Sequence, residues 1–265
     1  MDKNILLKNY KKEEDKLLIS KLLDKIQLVQ KQNSIQYTSF LSPIEQVLLE
    51  KVLNLIKYEN YIIYGGSNTE RKLIILYPTK LDNIFIENKF DYNVVCNCIR
   101  ITNFNEILDH KLILGGLIKL GVKREKIGDI IIDDNIIDII VSKDITKFLL
   151  SNLSQLTRFK NSEIDIININ NCINKKQKFE DIKIIVSSLR LDNIVAELAK
   201  TSRSKAIDIL NQERVFINYQ NETKNTKIVK QNDIITVRGK GKFIIEEIVG
   251  NTRSGRFIIN IKKYI

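Results

Sequence analysis

Arg203 and Lys205 stand in the first turn of the segment TSRSKAIDIL (201–210), where Thr201, Ser202 and Ser204 are residue types that start helices. Acids usually occupy such a turn, because the helix dipole is already positive there. Two cations beside unpaired backbone N–H groups instead make a receptor for an external anion such as a phosphate. The alternative is a solvated basic turn, at a cost of about 0.3 kcal/mol. On the receptor reading both side chains are exposed. Arg203→Glu with Lys205→Glu then abolishes anion binding while slightly improving the helix.

Other groups could carry chemistry. In LGVKREKIGDI, Gly121 ends a helix, and Lys123, Arg124 and Lys126 cluster before a strand, with Gly128 permitting the turn. Arg71 and Lys72 follow a Gly-Gly turn. Each cluster is either a phosphate contact or a solvated loop, with Glu125 available to pair in the first. Asp133 and Asp134 could hold a metal for a nuclease, but next to Asn135 they read more naturally as a hairpin turn. His110 is the only histidine, which leaves histidine-based triads little to draw on. Cys96, Cys98 and Cys172 form no disulfide framework and too small a ligand set for zinc. They read as reduced cytosolic thiols. No metal, cofactor or catalytic residue is expected.

The 265 residues carry 43 Lys+Arg and 32 Asp+Glu, a net charge of +11, which favours a polyanionic partner. Residues 186–265 hold 15 Lys+Arg and 8 Asp+Glu, a net of +7, leaving +4 for the first 185. The first twenty residues lack the apolar core of a signal peptide, and no run of about 18 apolar residues suggests a membrane span.

The elements that position these groups make an α+β protein. Residues 13–32 read as an amphipathic helix through Leu18, Leu22, Ile26 and Val29. A second helix opens with Ser42 as N-cap, Pro43 and a capping-box Glu45, and buries Val47, Leu48, Val52, Leu55 and Ile56. Two strands flank the Gly-Gly turn. From 92 to 170 the order is β-α-β-β-α-β, a ferredoxin-like arrangement with a helix over 105–121. Its two central strands, VVCNCIRI and IIDIIV, lack the aromatics a base-stacking sheet needs. A polar linker spans 171–185. Two helices and short strands RVFIN, TKIV, DIITVRG, KFIIEEIV and RFIINIKKY follow. The expected organisation is a helical segment (1–40), a middle domain (41–170), the linker, and a C-terminal domain (186–265) able to fold and bind its partner alone.

RLDNIVAELAKTSRSKAIDILNQERVFIN followed by VKQNDIITVRGKGKF closely resembles the ribosomal-protein-S-four-type RNA-binding module, an αL motif. The resemblance implies RNA contacts at Arg190, Arg203, Ser204, Lys205, Arg214 and Asn218, extended by Arg238, Lys240 and Lys242. Arg71, Lys72, Lys123, Arg124 and Lys126 would be a second contact. Three family glycines are replaced here, by Glu213, Tyr219 and Asn232. Glu213 puts an acid beside Arg214, whereas asparagine tolerates a left-handed backbone. GGSNTERKLIILYP and LDHKLILGGLIKLGVKREKIGDIII resemble the YlmH family, bacterial and plastid proteins ending in the same module.

That resemblance implies a non-enzymatic, cytoplasmic, monomeric bacterial protein. It would bind rRNA or tRNA on the large ribosomal subunit, with a role at stalled nascent chains. An RNA-modifying enzyme and a cell-division adaptor are the alternatives. Asp192 sits in the Arg-Leu-Asp context of pseudouridine synthases, but only 73 residues follow it, too few for that catalytic domain. Neither YGGSNTERK nor LILGGLIKLG has the strand–loop–helix setting of a methyltransferase glycine loop.

Overall fold

The computed structural model describes residues 3–104, 108–174 and 178–265. The chain divides into two compact units, Met1–Lys175 and Lys176–Ile265.

The first unit begins with helices α1 (Lys3–Leu7), α2 (Glu13–Gln32) and α3 (Pro43–Leu55). Ser42 caps α3 with the anticipated reciprocal box: its hydroxyl accepts from the Glu45 N–H, and Glu45 accepts from the Ser42 N–H. These helices cover a three-stranded antiparallel sheet ordered β1 (Gln36–Tyr37), β3 (Leu73–Leu76), β2 (Tyr61–Tyr64). Leu22, Ile26 and Val29 of α2 share a core with Leu49, Val52 and Leu53 of α3 and with Ile74 and Leu76 of β3. The first helices therefore belong to this unit and are not a separate segment. The buried stripe of α3 is also displaced from the expected one. Leu49 and Leu53 are inside, whereas Leu55 is 54% exposed.

All four β3 residues are buried, because the strand is covered on both faces. Leu73 and Ile75 point to a second core with Phe40, Cys96 and Ile140. After the short α4 (Asp82–Ile86) come β4 (Cys96–Thr102), α5 (His110–Lys119), β5 (Ile127–Asp133), β6 (Ile136–Ser142), α6 (Thr146–Asn152) and β7 (Glu163–Ile167). The order is β-α-β-β-α-β, and the antiparallel sheet runs β5-β6-β4-β7. Asp109 caps α5 through a 2.7 Å bond from the Leu112 N–H, so the helix starts later than 105; residues 105–107 lie outside those described. Asp134 turns the β5–β6 hairpin with φ 44°, and Asp133 and Asp134 are both exposed at that turn.

The second unit contains α7 (Leu191–Ala199) and α8 (Arg203–Asn211) against a six-stranded antiparallel sheet. Its order is β10 (Gln220–Asn221), β9 (Val215–Ile217), β11 (Ile234–Val237), β12 (Gly241–Asn251), β13 (Phe257–Tyr264), β8 (Phe179–Val186). TKIV contributes only an isolated bridge, Arg190 to Ile228. The stretch 171–185 is not all linker. Eight consecutive residue pairs, Phe179–Tyr264 through Val186–Phe257, zip β8 onto β13. Residues 175–177 of that stretch lie outside those described. Ile184 and Val186 enter the helix-covered core with Leu191, Val195, Leu210, Ile235 and Ile259. A unit cut at 186 would lack this strand, so the boundary for independent folding lies before Phe179.

Candidate nucleic-acid interface

Ser202, the residue before α8, has extended backbone (φ −70°, ψ 156°), and its hydroxyl accepts from the Lys205 N–H at 3.3 Å. Ser204 and Lys205 are exposed on the first turn. Arg203 is different. Its Nε and Nη2 donate to Asp192 Oδ2 at 2.9 and 2.8 Å. Arg190 holds the same carboxylate from the other side, Nε to Oδ1 at 3.2 Å and Nη2 to Oδ2 at 3.0 Å. The Asn193 N–H adds a bond of 3.0 Å to Oδ1. Asp192 has no exposed surface. Burial pushes its carboxyl up, but the hydrogen bonds and charges of Arg190 and Arg203 outweigh burial and hold it below the usual range. The cation at the wrong end of a helix therefore has an internal cause. Arg203 neutralises a buried acid, so its reversal is expected to cost stability and not to improve the helix. Lys205 keeps the character expected of both.

The remaining predicted cations divide between places. Arg214 follows α8, where the chain makes a two-bond reversal: the Glu213 N–H donates to the Leu210 carbonyl at 3.0 Å and the Arg214 N–H to the Ile209 carbonyl at 3.2 Å. Such a reversal needs a left-handed residue, and Glu213 supplies it with φ 55°. Glu213→Gly should therefore raise stability by about 1 kcal/mol, read from the urea midpoint, while removing the acid beside Arg214. An unchanged or lowered midpoint would show that no strain is stored there.

Arg214 Nη2 donates to the Arg238 carbonyl at 2.9 Å, joining β9 to the β11–β12 hairpin, whose tip carries exposed Arg238 and Lys240. This cluster lies at the C-terminal end of α8 and Lys205 at its start. Nine helical residues, about 14 Å, separate them. Asn218 is exposed but bonded within its own turn. It turns β9 into β10 with φ 49°, donates to Asp233 Oδ1 at 2.8 Å and accepts from the Ile234 N–H at 2.9 Å. Tyr219 and Asn232 are also left-handed, with φ 64° and 68°. Lys242 lies on the outer face of the sheet, its ammonium 4.9 Å from the Tyr219 ring centre and 4.2 Å from that of Tyr264.

In the first unit, Arg71 and Arg124 converge on one carbonyl. Arg71 Nε reaches the Ile127 oxygen at 3.2 Å and Arg124 Nη1 reaches it at 2.6 Å. Arg71 also donates to the Phe40 carbonyl at 2.7 Å, and Arg124 to that of Gly128 at 3.2 Å. Burial lowers the pKa of both guanidinium groups, and Arg71 lowers that of Arg124 further. Asp129, pushed up by burial, accepts from the Glu70 and Arg71 N–H groups at 2.6 and 3.1 Å. These arginines fasten the loop to β3. Lys126 pairs with Asp144 at 2.5 Å, Lys72 is half-buried beside its backbone bridge to Leu41, and Lys123 is exposed.

Among the described residues, one group could offer three metal ligands: Cys98, Asp138 and Cys172, with donor atoms within 4.8 Å of one another. Its carboxylate is already engaged. Arg100 grips Asp138 through Nε and Nη2 at 2.8 and 2.7 Å, and the Ile173 N–H donates to it at 2.6 Å. A hydrogen bond with Cys172, then burial, drive the Cys98 thiol far above its ordinary pKa. Cys96 is pushed up to about 12 by burial. The Asp138 carboxylate is thus bonded internally by Arg100 and the Ile173 N–H.

Sequence reasoning missed the partners of Arg203 and the aromatic residues around Lys242. Asp192 was legible as an acid eleven residues before Arg203, but only the α7–α8 reversal brings the two together.

Residues 88–171 match the family described as "Putative RNA-binding domain in YlmH". The chain is 27% identical over 254 residues to the ribosome-associated protein quality control protein P2 of Bacillus subtilis (strain 168), covering 95% of this chain and 96% of that protein. A solved structure titled cell division protein ylmH from Streptococcus pneumoniae superposes with a TM-score of 0.48 at 16% identity, covering 62% of this chain and 97% of that one. The family match thus covers about a third of the chain, and the near full-length similarity runs at 27% identity.

Proposed function

We propose that this is a non-catalytic, cytoplasmic bacterial protein. It binds structured rRNA or tRNA on the large ribosomal subunit as a monomer and acts in quality control of stalled translation. The observation that carries the reading is the pair of basic clusters at the two ends of α8, Lys205 at one and Arg214, Arg238 and Lys240 at the other. Together they offer cations to the phosphates of a folded RNA. The C-terminal unit is read as the ribosomal-protein-S-four-type module and residues 96–167 as a ferredoxin-like core. The family match at 88–171 and the ribosome-associated relative support an RNA partner.

Co-sedimentation tests this reading. The chain should pellet with ribosomes and return to the supernatant after ribonuclease treatment. Retention on ribonuclease-stripped particles would favour a protein-adaptor role, and turnover of a purified RNA would favour an enzyme.

A further inference from the structure

We infer that the outer face of the C-terminal sheet is a second RNA surface, a stacking platform for unpaired bases of a single strand; the inference rests on the RNA-binding reading above. Along each strand alternate residues enter the helix-covered core: Val215 and Ile217, Ile235 and Val237, Phe243 and Ile245, Ile259 and Ile261, Ile184 and Val186. The residues between them face away from α7 and α8.

One row on that face crosses five strands. Phe216 of β9 pairs with Thr236 of β11, and Thr236 with Lys242 of β12. Lys242 lies 4.2 Å from the ring centre of Tyr264 in β13, and Tyr264 pairs with Phe179 of β8. Arg238 extends over Phe216 at 4.9 Å and leaves that ring only 5% exposed, so the partly exposed rings of the row are Tyr264 and Phe179, with Tyr219 flanking Lys242. The two rings at the β8 end meet edge to face at 5.0 Å, and Phe179 is 37% exposed. From Lys242 through Tyr264 to Phe179 the exposed part of the row spans two strand spacings, about 10 Å.

The occupant follows from the chemistry. Rings alternating with cations match single-stranded nucleic acid, whose bases stack while its phosphates follow the positive charges. An apolar protein partner would not need Lys242 and Arg238 along the row. Duplex RNA keeps its bases internal and would leave the rings unused.

The chain contains no tryptophan. Phe179→Trp in the full chain therefore places a single indole reporter on the face. Titration with a single-stranded oligoadenylate should quench it. Tyr264→Ala in that background should weaken oligoadenylate about tenfold, leaving duplex RNA affinity and melting temperature unchanged, and Tyr264→Phe should restore binding to within about twofold. If Tyr264→Ala lowers the melting temperature, Tyr219→Ala, on the other side of Lys242, carries the same test. Oligoadenylate bound without quenching, quenching by base-free heparin, or equal weakening of duplex and single strand would each overturn the platform. Duplex binding with no oligoadenylate binding would sink the platform alone. Failure of the unmodified chain to bind either RNA would sink the functional reading and the platform with it.

Discussion

Arg203→Glu should lower the melting temperature of the C-terminal unit by about 10 °C, whereas Lys205→Glu, two residues on, should leave it within experimental error. The two differ in what lies beneath them. Asp192 is fully buried, and a buried carboxylate is tolerated only because its charge is balanced and its oxygens are bonded. Replacing Arg203 removes two of those bonds and adds a second acid. Breaking a buried pair costs about 3–5 kcal/mol. Here Arg190 remains and Arg203 is 53% exposed, so a discounted value of about 2 kcal/mol is the better expectation. For a unit of this size that corresponds to about 10 °C. A melt of the full chain beside its two variants measures it, and a wild-type melt for Arg203→Glu would refute the network's role. The pH dependence has a fixed sign. Because the folded pKa of Asp192 is depressed, its contribution is present above the unfolded value of about 3.9 and is lost as pH falls through the folded one. Asp192→Asn should therefore be less stable near neutrality and show a flatter acid limb.

RNA affinity should fall roughly 500-fold between 50 and 200 mM salt, as expected for about five phosphates neutralised. The count follows from the geometry. Arg190 and Arg203 are committed to Asp192 and Asn218 to its own turn. The cations counted are Lys205, Arg214, Arg238, Lys240 and Lys242, of which Arg214 also bonds the Arg238 carbonyl and Lys242 lies against two tyrosine rings. Lys205→Glu with Lys240→Glu should weaken binding across RNA sequences and reduce the logarithmic salt slope by about two. A titration at four salt concentrations measures both quantities. A slope unaffected by the double substitution would place the interface elsewhere on the chain.

Local signals in the sequence were read well where one element decides the outcome. The Ser42–Glu45 box and the Asp134 turn both depend on residues within one or two turns. β8 was hidden because Glu180, Asp181 and Lys183 are exposed along it, so composition resembles a linker. The inward alternation of Ile182, Ile184 and Val186 was the available clue. The α3 stripe slipped by about one residue because an apolar run such as VLLEKVL fits more than one helical face. Site residues fared worst, since a cation's role depends on a partner that may be distant in sequence. Arg203 needed Asp192, Arg71 needed Phe40 and Ile127, and Lys242 needed Tyr264. Only the tertiary fold supplies those pairings.

The position of β13 between β12 and β8 has a consequence for how the chain is made. β8 is synthesised first and its partner last, with Phe179 and Tyr264 paired across 85 intervening peptide steps. At ordinary elongation rates that interval is roughly 4–17 s, far longer than a hairpin takes to form. Throughout it β8 is a nascent strand with no permanent neighbour, while α7, α8 and the β11–β12 hairpin can already condense. Alternating charges along its outer side discourage pairing with other chains during the wait. Sheet closure is thus a late event in the making of this unit, and the Phe179–Tyr264 end of the row is completed only when β13 docks.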